Sequence, residues 1–222
     1  MAIRLRAARR GDEPAVAALH VRSWQEAYRG LMPAAFLAGL DPRERAERYA
    51  FGATEAGAPR TILAVAREEG AGGDEGGGGD PSLTNCGEVR PGSLPPPSEE
   101  ALLGFVTFGR SRDADAEGLG EVYALYVDPE FHRGGVGRLL MREARRELVG
   151  AGFEEAILWV LQGNDRARDF YESEGWQPDG TSRIEQPYGI LSTVHRLRRA
   201  LNPTPCPPEG PGKTLNEPPR SS

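Results

Sequence analysis

Residues 120–147 read GEVYALYVDPEFHRGGVGRLLMREARRE. The stretch divides into a strand, a glycine-rich loop and a helix. Glu121 to Val127 carries the β-branched and aromatic residues that suit a buried or half-buried strand. Asp128-Pro129 ends it, because proline has no N–H to give to a ladder. Gly134, Gly135 and Gly137 follow. Val136, Leu139, Leu140, Ala144 and Leu148 then recur at helical spacing, with Arg138, Arg142, Arg145 and Arg146 between them. The glycines therefore lie where a helix begins.

The first turn of a helix leaves N–H groups without partners, and the helix dipole adds partial positive charge there. Glycine removes the Cβ atoms that would hold an anion away from the backbone. Together these features make a cradle for phosphate or diphosphate. The same residues also serve as an ordinary tight strand-to-helix turn. A Walker A loop is excluded, because Gly137 is followed by Arg138-Leu139 rather than by Lys-Ser/Thr. A dinucleotide fingerprint is incomplete, because Leu140 stands where its third glycine belongs.

Val127 to Leu140 resembles motif A of the GNAT superfamily of N-acetyltransferases, Q/R-x-x-G-x-G/A after a strand. Gly135 and Gly137 fill the glycine positions. His132 stands where glutamine or arginine is usual, with Arg133 next to it. A second segment, Asn164 to Trp176 (NDRARDFYESEGW), resembles the family element N-x-x-A-x-x-F-Y-E-x-x-G-F, with Trp176 at the last aromatic. The resemblance runs from Ile3 to about Leu201, apart from an insert at residues 68–100 where the family usually has a short turn. It implies an α/β fold of the GNAT (acyl-CoA N-acyltransferase) type, a mixed central sheet with splayed central strands and flanking helices.

The same resemblance implies acetyl-CoA as acetyl donor. Leu125, Tyr126 and Val127 would pair with the pantetheine arm. His132, Arg133, Gly134, Gly135, Val136, Gly137 and Arg138 would surround the diphosphate. Asn164 would bond the arm, a role compatible with a plain helix cap. The implied reaction is direct transfer to a primary amine in a ternary complex, since no cysteine or serine has the supporting arrangement of a nucleophile.

An alkylammonium titrates near ~10 and must lose its proton before attack. Glu121, at the start of the strand, is the candidate base; a solvated strand-edge carboxylate is its plainer role. A main-chain N–H near Tyr126 is the candidate donor to the oxyanion. The departing thiolate has an intrinsic pKa near ~8.5, so protonation helps, and the resemblance makes Tyr171, at the family's tyrosine position, the candidate acid; otherwise it is a packing aromatic. A non-catalytic acyl-CoA sensor of the same fold is the alternative. A nucleotide-binding protein is a third, weaker reading.

The 222 residues carry a net charge of −6, which gives no basic footprint for nucleic acid. Residues 68–100 are rich in glycine, acid, proline and serine, and residues 202–222 in proline. Both read as disordered, which leaves one domain within residues 1–201 with enough chain for a core. Cys86 and Cys206 fall in those segments and suggest no disulfide framework. Three histidines without ligand spacing argue against a metal. With no apolar leader or membrane-length run, a soluble cytoplasmic protein is expected. The expected partner is a small-molecule or peptide amine, and the family's habits allow a homodimer.

Along the rest of the chain, Ile3 to Ala7 reads as a strand. Asp12 reads as the N-cap of a helix whose face carries Val16, Leu19, His20, Trp24, Ala27 and Tyr28. That face suits core packing, or in part an acceptor pocket. A short helix is expected within Pro33–Leu40. Asp41-Pro42-Arg43-Glu44 resembles a capping box opening a helix to about Ala50. Strands are expected at Arg60–Arg67, Leu102–Phe108, Glu155–Leu161 and Leu191–Leu197, and a turn at Pro178-Asp179-Gly180.

Overall fold

The computed structural model describes residues 2–52, 57–67, 100–186 and 189–201. Both cysteines, the 202–222 tail and the insert up to residue 99 lie outside the described residues. The chain runs β1 (Ile3–Ala7), α1 (Glu13–Ala27), α2 (Ala34–Ala38), α3 (Pro42–Ala46), β2 (Arg60–Arg67), β3 (Glu100–Arg110) and β4 (Gly120–Val127). It continues with α4 (Val136–Gly150), β5 (Glu155–Leu161), α5 (Asp165–Ser173), β6 (Gln177–Glu185) and β7 (Ser192–Ala200).

The described strands form one mixed sheet in the order β1-β2-β3-β4-β5-β7-β6. All neighbours are antiparallel except β4 and β5, which are parallel. That parallel pair needs a crossover, and α4 supplies it.

Strand alternation builds two cores from one sheet. Ile62, Ala64 and Ala66 of β2 pack with Val136, Leu140, Met141, Ala144 and Leu148 of α4. Leu63 and Val65, the residues between them, pack with Val16 and Leu19 of α1 and with Phe105. Each large side chain buried this way contributes roughly 1.5–3 kcal/mol. At Gly104 in β3 both β4 and α4 come close. A Cβ there would stand 2.8 Å from the Tyr126 carbonyl and 3.1 Å from Leu140, so a side chain would push helix and strand apart.

Several local expectations change. Met141, not Leu139, joins the buried stripe of α4; Leu139 is half-buried. The face is therefore set by Val136, Leu140, Ala144 and Leu148 with one i+1 neighbour. Asp12 occupies the N-cap of α1 but makes no side-chain cap. Its carboxylate instead takes both Arg6 nitrogens, at 2.7 and 2.9 Å, and the Arg9 amide. A charged guanidinium is the stronger partner. Asp41 does cap α3 through the Arg43 amide at 2.7 Å, but α3 stops at Ala46.

Glu100, taken with the insert, opens β3 and pairs with Arg4 and Arg6. The expected turn at Pro178-Asp179-Gly180 lies inside β6, as an irregularity in its pairing with β7 between Pro178 and Ser182. Gly180 at φ +84° supplies the bend.

Candidate active site

The site is built where β4 and β5 part. Their pairing covers Gly120–Ala156, Glu121–Ile157 and Val122–Leu158 and then stops. β5 continues beside β7 to Leu161, while β4 continues beside β3 to Val127. The register on the β3 side explains the bend. Thr107 faces Ala124 and Phe108 faces Val122, so Tyr123 is an extra residue. A bulge of that kind increases twist and turns a strand aside. The gap becomes a cleft of about 450 Å³.

At the far end of β4, Asp128 is buried and bonds Arg22 at 2.5 Å and the Glu130 amide at 3.2 Å. This caps a short 3₁₀ turn, Pro129–Phe131, and aims the chain at the head of α4. The Val127 carbonyl accepts from Ser23 Oγ at 3.2 Å and from His132 Nε2 at 3.0 Å. Since a carbonyl only accepts, Nε2 carries the hydrogen. Burial, aided by Arg166, lowers the His132 pKa and keeps the ring neutral. His132 thus braces the strand end with its ring.

The loop then alternates in hand. Arg133 sits at φ +63° and Gly135 at φ +80°. A non-glycine residue in that region is strained, which is a common mark of functional loops. The Gly134 amide donates to Phe131 at 3.3 Å, and the helix ladder begins with Leu139 donating to Gly135 at 3.0 Å. Among the described residues, the amides of Arg133, Gly135, Val136, Gly137 and Arg138 make no internal hydrogen bond. A Cβ on Gly137 would stand 3.5 Å from Val127 and from Phe170, in ordinary contact. Packing alone does not demand glycine there.

The β5 side of the cleft is completed by α5. Asn164 Oδ1 caps the helix through the Ala167 amide at 3.2 Å. Arg166, Ala167, Phe170 and Tyr171 face the gap. Burial, with a smaller contribution from Tyr126, raises the Tyr171 phenol well above its usual value. It therefore stays protonated. On the α1 side the face divides: Val16, Leu19, His20 and Trp24 are buried, while Ser23, Ala27 and Tyr28 reach the cleft. The Tyr28 and Tyr126 hydroxyls stand 3.5 Å apart.

Of the residues expected from sequence, Leu125, Tyr126, Val127, His132, Arg133, Gly135, Val136, Gly137, Arg138, Asn164 and Tyr171 all line the cleft. Gly134 does not, and its amide is occupied. Tyr126 presents its ring, but its main chain belongs to the other edge. Asp128 donates to Leu103, so strand alternation also directs Tyr126 toward β3 and turns Leu125 and Val127 to the gap. Glu121 is a correction. It lies in the paired root, 1% exposed, and does not line the cleft. Its carboxylate takes the Arg112 amide at 2.9 Å and the Arg112 guanidinium at 2.6 Å.

Sequence reasoning missed Ser23, Tyr123, Trp159, Arg166 and Phe170 as cleft residues; their motifs give no sign of which way they face. Among the described residues there is no helix long and apolar enough to cross a membrane and no His, Cys, Asp and Glu cluster of metal-holding type.

A mixed sheet with a forked parallel pair and a bare-amide helix start is the architecture of acyl-CoA transferases of the GNAT type. Residues 84–176 match the acetyltransferase (GNAT) family model. The chain is 23% identical over 162 residues to the uncharacterized N-acetyltransferase YuaI of Bacillus subtilis, covering 73% of each. It is 41% identical over 79 residues to the mycothiol acetyltransferase of Kocuria rhizophila, 35% of this chain but only 26% of that protein. The crystal structure of PaiA N-acetyltransferase from Thermoplasma acidophilum, solved with coenzyme A, aligns with 90% of this chain and 99% of its own at TM-score 0.54 and 15% identity. The chain therefore shares the GNAT fold, and its residues 84–176 are similar to the acetyltransferases of that family.

Proposed function

We propose that this protein is an N-acetyltransferase that moves acetyl from acetyl-CoA to a primary amine by direct attack in a ternary complex. The observation that carries the reading is the fork: β4 leaves β5 after Val122, beside a helix start whose amides have no internal partner. The residues present fit such a donor. The amides of Gly135, Val136, Gly137 and Arg138 form an anion cradle, and Arg133 and Arg166 add positive charge at its rim. The main chain of Leu125 and the Val127 N–H, on the open edge of β4, offer groups to an extended arm, while the Val127 carbonyl is held by Ser23 and His132.

Within the cleft the amine lone pair attacks the thioester carbonyl carbon. Negative charge gathering on the carbonyl oxygen is met by an N–H of the free β4 edge. The carbon–sulfur bond breaks and the sulfur takes the phenol proton of Tyr171, which burial keeps in place until then; the phenolate regains a proton, through water, from the one the amine gives up. Among the described residues no carboxylate lines the cleft, so the amine proton passes to water.

The test is to incubate the protein with acetyl-CoA and a panel of amines and to follow free thiol. Amine-dependent thiol release is expected. Tight CoA binding with no such release would instead make this chain an acyl-CoA sensor, and competition by ATP but not CoA would make it a nucleotide-binding protein.

A further inference from the structure

Two aromatic residues stand directly past the last paired rung of the fork: Tyr123 on β4 and Trp159 on β5. Both line the cleft. Both are tied to the connection between β3 and β4. Tyr123 lies over Gly109, where a Cβ would stand 2.7 Å from its hydroxyl. That hydroxyl donates to the Arg110 carbonyl, and the Arg112 guanidinium lies 4.1 Å from the ring centroid.

Trp159 is held more tightly. Its Nε1 donates to Asp113 Oδ2 at 2.8 Å. The other Asp113 oxygen pairs with Arg183, whose guanidinium lies 3.9 Å from the indole centroid. Asp113 itself is 9% exposed. Asp115 bonds Arg196 at 2.8 Å, so the same connection is fixed to β7 as well. One face and the polar edge of the indole are thereby both engaged. The ring cannot turn aside without breaking a charge-assisted network.

Its position gives this rigidity a use. An arm that enters at Val127 and follows β4 reaches Tyr123 after about 13 Å, at ~3.3 Å per residue. Ahead of it the gap is closed, because Val122 and Leu158 are paired. On the β5 side of that point the acyl end of a thioester meets Trp159, which lines the cleft there. We propose that Trp159, locked by Asp113 and Arg183, sets the acyl group the cleft accepts, admitting acetyl and excluding longer chains. The inference rests on the acyl-CoA reading above and adds the specificity determinant of its donor site.

The test is calorimetric binding of CoA, acetyl-CoA and butyryl-CoA to the full chain, to Trp159→Ala and to Asp113→Ala. The quantity read is the ratio of the butyryl-CoA to the acetyl-CoA Kd within each protein, so a general change in the cleft cancels. In the wild type butyryl-CoA should bind about tenfold or more weakly than acetyl-CoA, the usual penalty for excess methylenes in a closed pocket. Trp159→Ala should bring the ratio to within about twofold, and Asp113→Ala should give an intermediate ratio. If Trp159→Ala fails to fold, the loop variant Asp113→Ala decides. A wild-type ratio near one, or one that neither variant lowers, overturns the inference alone. Failure of CoA itself to bind the wild type overturns the inference together with the acyl-CoA reading.

Discussion

The two edges of β4 are unlike. Toward β3 the strand is partnered from Gly120 to Val127, with Tyr123 bulged out. Toward β5 it is partnered only from Gly120 to Val122. A strand edge left bare is costly unless its polar groups find partners. Here the difference is supported by side chains rather than by a third strand. Ser23 and His132 occupy the Val127 carbonyl, and the rings of Tyr123 and Trp159 are tied back at the root. The lesson is that the closed edge gives β4 its rigidity, and the open edge gives it something to bind with.

The largest test of that contrast is Tyr171→Phe at the open edge. Turnover should fall about a hundredfold or more, with acetyl-CoA affinity changed far less, as for loss of a general acid. Because burial raises the phenol pKa, wild-type turnover should not decline with a midpoint near the usual tyrosine value of ~10. Retained turnover in Tyr171→Phe would remove the acid role.

At the closed end, Glu121→Gln should lower stability by about 2 kcal/mol, through the weakened bonds to Arg112. Turnover at a temperature where the fold is intact should stay close to wild type. A large loss in kcat without a change in melting temperature would restore Glu121 as the base.

His20 sharpens the comparison from behind the sheet. It is buried, stacks on Tyr126 at 4.5 Å and contacts the Tyr49 hydroxyl. Burial, with Arg45 adding, pushes its pKa down from 6.5 to about 3. Between those values the unfolded chain binds a proton that the folded chain refuses. Stability therefore falls as pH drops through this window, by up to about 1.4 kcal/mol per pH unit from this group. Urea melts at a series of pH values should show a shallower acid slope in His20→Leu. An unchanged slope would clear His20 of that role.

The smallest effect expected is on the cradle. Gly137→Val adds a branched side chain between Val127 and Phe170, where even a Cβ makes contact at 3.5 Å. CoA affinity should fall about tenfold, the lower range for one misfit in a closed site, with the melting temperature near wild type. Unchanged affinity would take the loop out of the site.

The strand at Arg60–Arg67 and the helix carrying Val136, Leu140, Ala144 and Leu148 were legible because alternation and helical spacing are local patterns. So was the bare start of α4, since glycines at Gly135 and Gly137 report on backbone access. Asn164 and Tyr171 could be placed together for the same reason, as they share one short helix. Glu121 could not be judged. Its fate depends on Arg112, which arrives from the preceding connection, and on Ile157, which lies across the sheet. Tyr28 and Trp24 read alike along the helix, and only contact with Tyr126 and with Met32 and Leu37 separates them.

By itself, then, the order of residues determined the elements, their inward faces and a helix start able to grip an anion, because each depends on neighbours a few positions away. The fork, the seats of Tyr123 and Trp159, and the withdrawal of Glu121 were decided by tertiary structure. They arise at the root of β4 and β5, where the connection from β3 and the Arg183 side chain of β6 arrive, and these partners are brought together only when the sheet forms.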